Sequence, residues 1–174
     1  MDVALEPVVH RLRTPLRTAY GDVHERGAYL LSLTAPDGIT GRGEAAPLEA
    51  YDGVPLDIVG QALERYAEVL SDDRDRTGAA LLDSCREVAD LPQALAAVDL
   101  ALWDAAAQRA GKPVSALLTD EALEHVPVNA TIGATDRAGA AAGAAAATLS
   151  RQRSVIFCAA SFCSGDGPVA MNCW

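Results

Sequence analysis

What this sequence lacks narrows it first. Its 174 residues include one lysine, Lys112, which sits in a GKP turn, so no lysine base is available for a cleft. There is no P-loop, no G-x-G-x-x-G and no G-x-S-x-G, which removes phosphate cradling and the serine-hydrolase elbow. His10, His24 and His125 are isolated and show no metal-ligand spacing. Positive charge is scarce: 14 Lys+Arg against 24 Asp+Glu give a net charge of −10, which argues against nucleic acid and anionic membranes as partners. The start, MDVALEPVVHRLR, has no apolar signal-peptide core, and the run Ala138–Leu149 is too short and weakly apolar to span a bilayer. The expectation is a cytoplasmic protein. Half of the residues are hydrophobic and 22% are charged, a globular composition long enough for one domain and part of a second.

The chain is organised around LPQALAAVDLALWDAAAQRAGKP, Leu91 to Pro113, which reads as a helix of roughly five to six turns. Asp90 is the expected cap, Pro92 fits the first turn, and Gly111 followed by Pro113 stops it. Leu95, Val98, Leu102 and Ala106 form one stripe, and Leu100 and Trp103 lie outside it, so the helix should be sandwiched between two layers. Asp99 sits near the stripe and, half-buried, would need a hydrogen-bonding partner, whereas Asp104 points away.

Before this helix, Val3–Arg13 is β-like with Pro7 suggesting an edge, and 14–26 reads as a polar loop. Glu25–Ala35 alternates as a strand, Pro36-Asp37-Gly38 is a turn, and Ile39–Ala45 returns as a third strand. Gly41 and Gly43 in that strand would let a neighbour approach closely. Pro47–Gly53 is an exposed loop. Pro55–Leu70 is an amphipathic helix with Ile58, Ala62, Leu63, Tyr66 and Leu70 on one side, and Gly78–Val88 is another. Later, Val126–Ile132 reads as a strand and Thr135–Leu149 as an Ala-rich helix capped by Thr135. Strands first and helices afterwards give an α+β class: a three-stranded antiparallel meander, a helical bundle, and the opening β/α unit of a further domain. Glu44 and Glu49 flank a loop and could be an acid pair, although capping or solvation explains each more simply.

Two stretches, PLRTAYGDVHERGAYLLSLTAPDGITGRGEAAPLEAYDG and ALAAVDLALWDAAAQRAGKPVSALL, carry a resemblance. With the G-x-G-E-A-x-P-L segment Gly41–Leu48 and A-V-D-L-A-L-W-D at Ala97–Asp104, they resemble the capping domain of the enolase superfamily, in its mandelate racemase and muconate lactonizing subgroup. VPVNATIG then looks like the first strand of that superfamily's TIM barrel. The resemblance implies a capping domain at 1–119 and the start of a barrel at 120–149. It also implies abstraction of the proton α to a small-molecule carboxylate, with Mg2+ stabilising the enediolate. Within the subgroup the chain looks most like o-succinylbenzoate synthase, with dipeptide epimerase and muconate cycloisomerase as alternatives. The capping loops that close over substrate correspond to Arg17–Gly21 and Leu48–Gly53, so Arg17, Tyr20 and Tyr51 are the substrate-contacting candidates, with Arg17 as a carboxylate partner.

The resemblance stops near Ser150. Three of the four cysteines (Cys158, Cys163, Cys173) and both phenylalanines follow that point, against a single acidic residue, Asp166. The spacing C-x4-C-x9-C has no fourth ligand for zinc. Where the family carries a K-x-K strand, this chain reads SRQRSVIFCAASFCSGDGPVAMNCW, with neither lysine nor a set of metal-ligand carboxylates. The expectations are a tail, 150–174, that is frameshifted or disordered, no catalytic residue and no Mg2+ bound to this chain. A homo-oligomer is compatible with all of this, as is a non-catalytic interaction module that reuses the capping fold.

Overall fold

The computed structural model describes residues 1–18, 21–72, 76–125, 132, 134 and 136–150, with only the backbone of Arg17 and of 147–150. The chain divides into two units, Met1–Lys112 and Pro113 onward. In the first, strands β1 (Asp2–Thr18), β2 (Gly21–Thr34) and β3 (Thr40–Ala45) form an antiparallel sheet in the order β1-β2-β3. Helices α1 (Glu49–Asp52), α2 (Leu56–Asp72), α3 (Gly78–Val88) and α4 (Pro92–Ala110) follow. The α+β class and the meander-then-helices order are as the sequence implies.

Alternation decides which face of the sheet is covered. Leu31, Leu33 and Ala45 are buried against Val59, Leu63, Tyr66 and Leu70 of α2, Leu81 and Cys85 of α3, and α4. Pro7 lies on an edge strand, opposite Tyr29. Tyr66 is wholly buried and donates its hydroxyl to the Ala89 carbonyl at 2.5 Å; burial raises its pKa.

The glycines of β3 fix the position of α4. A Cβ at Gly43 would collide with the Ala97 carbonyl, and one at Gly41 with the Ala101 carbonyl and the Ala105 Cβ. The side of α4 that meets the sheet is therefore a lane of small residues, with Ala94, Ala97, Ala101 and Ala105 all buried. This corrects the expected stripe, for Leu95 and Val98 are buried but Leu102 and Ala106 are only half-buried. Backbone-to-backbone packing leaves no room for larger side chains there. α4 meets β3 and β2 and also α2 and α3, while Leu100 is 53% and Trp103 37% exposed.

Asp104 lies away from the Leu95–Val98–Leu102 stripe, as expected, but it is bound and not free in solvent. Its Oδ2 accepts the Arg42 backbone N–H at 2.8 Å and the Gln108 amide at 3.0 Å, while Gln108 also donates to the Thr40 carbonyl at 2.8 Å. The edge of β3 is thus hydrogen-bonded by helix side chains, which blunts its capacity to pair with another strand. At the far end of α4, Arg109 Nε donates to Asp37 Oδ2 at 2.7 Å, and this bond with the Ile39 N–H holds the Asp37 carboxyl below its usual range.

Several local expectations change. Within the polar loop expected at 14–26, residues 14–18 and 21–26 extend the sheet: Leu16, Arg17 and Thr18 pair with Val23, Asp22 and Gly21 beyond a register shift between Arg11 and Leu16. Backbone pairing along the ribbon outweighs the polar composition. Asp90 does not cap α4; Leu91 occupies that position without a side-chain bond, and Asp90 lies 4.0 Å from Arg86. Gly111, at φ 60°, does end the helix, with Pro92 in its first turn. Ile58, expected on the apolar side of α2, is 43% exposed.

In the second unit, α5 (Ser115–Leu118) precedes α6 (Arg137–Ser150). The Gly139 N–H donates to Asp136 Oδ1 at 2.8 Å, a capping bond at the start of α6. Thr135, the strand expected at 126–132 apart from Ile132, and the tail beyond Ser150 lie outside the described residues. Among the described residues no helix is long and apolar enough to cross a membrane.

Substitutions at three glycines test this packing by thermal unfolding. Gly43→Ala should cost about 3 kcal/mol, the upper range for overpacking, and lower Tm by upward of about 10 °C. Gly41→Ala should behave likewise, whereas Gly78→Ala, whose Cβ would meet Leu102 at an ordinary 3.7 Å, should leave Tm nearly unchanged.

Candidate functional site

Where β3 ends, the chain turns under the start of β2 and leaves an open groove of about 640 Å3. Glu25, Arg26 and Gly27 form one wall; Pro47, Leu48, Glu49, Ala50, Val54 and Leu56 form the other. Gly27 opens the space, because a Cβ there would lie 2.5 Å from Leu56 Cδ2. Arg26 joins the walls by donating from Nη2 to the Ala46 carbonyl at 2.6 Å. The lining combines the apolar Pro47, Leu48, Ala50, Val54 and Leu56 with Glu25 and Arg26 on one wall and Glu49 on the other, so it suits a ligand with both apolar and charged surface.

The second wall is held by Asp52. Its Oδ1 accepts the Val54 N–H at 2.9 Å, and its Oδ2 accepts the Leu48 N–H at 3.1 Å and the Gln93 amide at 3.3 Å. Burial tends to raise the Asp52 pKa, but these donors outweigh it and hold the carboxyl below its ordinary 3.8. Gly53, at φ 71°, reverses the chain directly after it.

The three candidate contact residues are placed unequally. Tyr51 is on α1, 83% exposed, beside the groove but not lining it. Arg17 is near the end of the β1–β2 ribbon, opposite Asp22, and its side chain is outside the described set. Tyr20 is outside the described residues altogether. Glu44 and Glu49 are not an acid pair: Glu44 Oε2 lies 3.3 Å from His10 Nε2, while Glu49 faces the groove. Sequence reading missed Glu25, Arg26, Asp52 and Gln93. The Asp-Gly step at Asp52-Gly53 is a turn signal that could have flagged Asp52.

Among the described residues that line the groove there is no Ser, Thr, Cys, His or Lys. Cys85 is buried, and burial pushes its pKa to about 11, so at neutral pH it is a protonated thiol and not a nucleophile. Among the described residues no cluster of three or more His, Cys, Asp or Glu side chains could hold a metal. The magnesium implied by the resemblance therefore has no donor set among them. Cys158, Cys163 and Cys173 lie outside the described residues.

Residues 1–119 match the family described as mandelate racemase / muconate lactonizing enzyme, N-terminal domain. The chain belongs to that family. As a member of the mandelate racemase / muconate lactonizing group, and so of the enolase superfamily, it is 32% identical over 133 residues to the L-Lys-D/L-Arg epimerase of Methylococcus capsulatus. That match covers 70% of this chain and 35% of the relative. It is 36% identical over 124 residues to the hydrophobic dipeptide epimerase of Roseobacter litoralis, covering 68% and 33% respectively. The chain thus spans about a third of the length of the relatives it matches. Among solved structures it is similar to the L-Ala-D/L-Glu epimerase of Bacillus subtilis in a substrate-liganded complex, at TM-score 0.57 and 26% identity over 67% of this chain and 33% of that one. The dipeptide epimerase of Cytophaga hutchinsonii, complexed with Mg and D-Ala-L-Val, shares the fold at TM-score 0.70 and 20% identity, over 84% and 40%.

The Asp52 site has a defined acid response. Because the folded state lowers its pKa, the stabilisation is complete above about pH 5 and is lost as pH falls through the lowered folded value. A carboxyl 13C titration of the folded chain should show an Asp52 midpoint below 3.8, accompanied by shifts of the Leu48 and Val54 amides. A midpoint at or above 3.8 would contradict the hydrogen-bond pattern.

Proposed function

We propose that residues 1–119 are the substrate-capping part of a dipeptide epimerase, with 120–149 opening its barrel, and that the groove beside Tyr51 receives part of the dipeptide. The observation that carries this reading is the kinship with relatives named as epimerases of L-Lys-D/L-Arg and of hydrophobic dipeptides. It favours the epimerase alternative over o-succinylbenzoate synthase. A groove that combines apolar residues with a carboxylate on each wall also accords with an amphipathic ligand. On this reading the chain contributes shape and contacts: Arg17 and Tyr20 from the ribbon, Tyr51 from α1. Proton abstraction and magnesium binding, which the family's chemistry requires, belong to groups that the described residues do not supply. A cytoplasmic location and a homo-oligomeric assembly are part of the same proposal.

A chimera tests it. The matching segment of the Methylococcus capsulatus enzyme is replaced by residues 1–119 of this chain, and dipeptide epimerisation is followed by α-hydrogen exchange in deuterated water. Retained epimerisation is expected, and Tyr51→Ala within the chimera should lower kcat/KM about tenfold, the scale of one lost aromatic contact. A folded chimera that epimerises no dipeptide but dehydrates toward o-succinylbenzoate would reverse the preference.

A further inference from the structure

We infer that Asp52 is a positioning residue, one that fixes the groove wall Leu48–Val54 in advance of any ligand by anchoring it to Gln93 of α4. The functional meaning of that wall rests on the proposed function above. The locking itself can be read in the free chain.

Packing holds only the ends of this wall, where Pro47 is buried and Val54 packs half-buried against the core, and it leaves Glu49–Asp52 exposed between them. Helix α1 is four residues long, has no buried residue and has no side-chain cap. The polar bonds supply what packing does not. Asp52 accepts from Leu48 at one end of the wall and Val54 at the other, so a single carboxylate closes the segment on itself. Its third bond reaches Gln93 in the first turn of α4, where the next two residues, Ala94 and Leu95, are buried in the core. The wall therefore takes its place from the helix that is clamped to β3. Tyr51, adjacent to Asp52 and bonded through its own N–H to the Leu48 carbonyl at 2.7 Å, inherits that placement.

The chemistry requires a carboxylate at this point. Three N–H donors converge on two oxygens, and an asparagine would turn an NH2 toward one or two of them. Gln93 shows the same polarity from its side. Its Oε1 is buried without a hydrogen-bond partner among the described residues, so the amide is oriented by what its NH2 offers Asp52. The opposite wall is held differently. Arg26 secures it beside the groove, while beyond Arg11 the ribbon pairs as Leu16–Thr18 with Gly21–Val23.

Amide hydrogen exchange by NMR on the full chain, without ligand, tests the lock. In Asp52→Ala, exchange at Leu48 and Val54 should accelerate about tenfold or more while the core amides of Leu63 and Val98 keep their protection. Gln93→Glu alone should do the same by setting two carboxylates together. The double variant Asp52→Asn/Gln93→Glu reverses the polarity of the bridge and should restore protection at Val54 but not at Leu48, whose N–H would face an NH2. A filler role predicts no such rescue. Unchanged exchange in Asp52→Ala, equal loss at the core amides, or failure of the rescue would each overturn the inference. A titration of the wild-type chain with L-Lys-L-Arg, read at Tyr51, is the separate arm. No response there counts against the proposed function, and the exchange data decide the lock independently.

Discussion

The structure of residues 1–112 depends on the backbone of α4 lying directly on the backbone of β3. Gly41 and Gly43 have no side chains to hold the helix off, and the alanine lane of α4 presents only Cβ atoms and carbonyls to them. Dispersion at such short range is lost steeply when a gap opens, so the arrangement is set sharply by shape. Polar bonds from Asp104 and Gln108 to the β3 backbone then fix the helix along the strand and occupy the sheet edge at the same time. The Arg109–Asp37 pair secures the far end, at the turn between β2 and β3.

From that contact the position of the groove follows. Because α4 is fixed, its first turn is fixed, and Gln93 there is the point to which Asp52 ties the segment after β3. The other wall is the start of β2, whose inner face carries the packing with α2: Tyr29 lies against Gly60, where a Cβ would stand 2.6 Å from the Tyr29 hydroxyl. The groove thus joins two elements held by different means, one through the helix and one through the sheet. What the described residues bring to it is surface and hydrogen bonding, since the buried thiol is protonated and no metal-holding cluster is present among them.

Much of this was legible before any coordinates. Alternation at Tyr29, Leu31 and Leu33 defines β2; Gly41 and Gly43 announce a close neighbour; Gly111 marks the end of α4. The motif around Gly41–Leu48 pointed to the family that the match over 1–119 establishes. The unread parts share one property, dependence on a distant partner. The described residues of the ribbon, 14–18 and 21–26, are largely exposed and polar, and their strand character comes from pairing across the hairpin. Asp104 looks like an exposed helix carboxylate until Arg42, 62 positions away, donates to it. Asp52 looks like a turn residue until Gln93 arrives from 41 positions along the chain.

By itself, then, the sequence determined the order of elements, the helix stops, the family and the placement of glycine where a helix must approach. These are properties of local periodicity, of backbone freedom and of short motifs, all written in consecutive residues. Tertiary structure alone decided which face of α4 is buried, where the β1–β2 ribbon ends and which carboxylates are bound and which solvated. Each of those outcomes is a competition between water and a partner far away in the chain, and the winner depends on distances that exist only after folding.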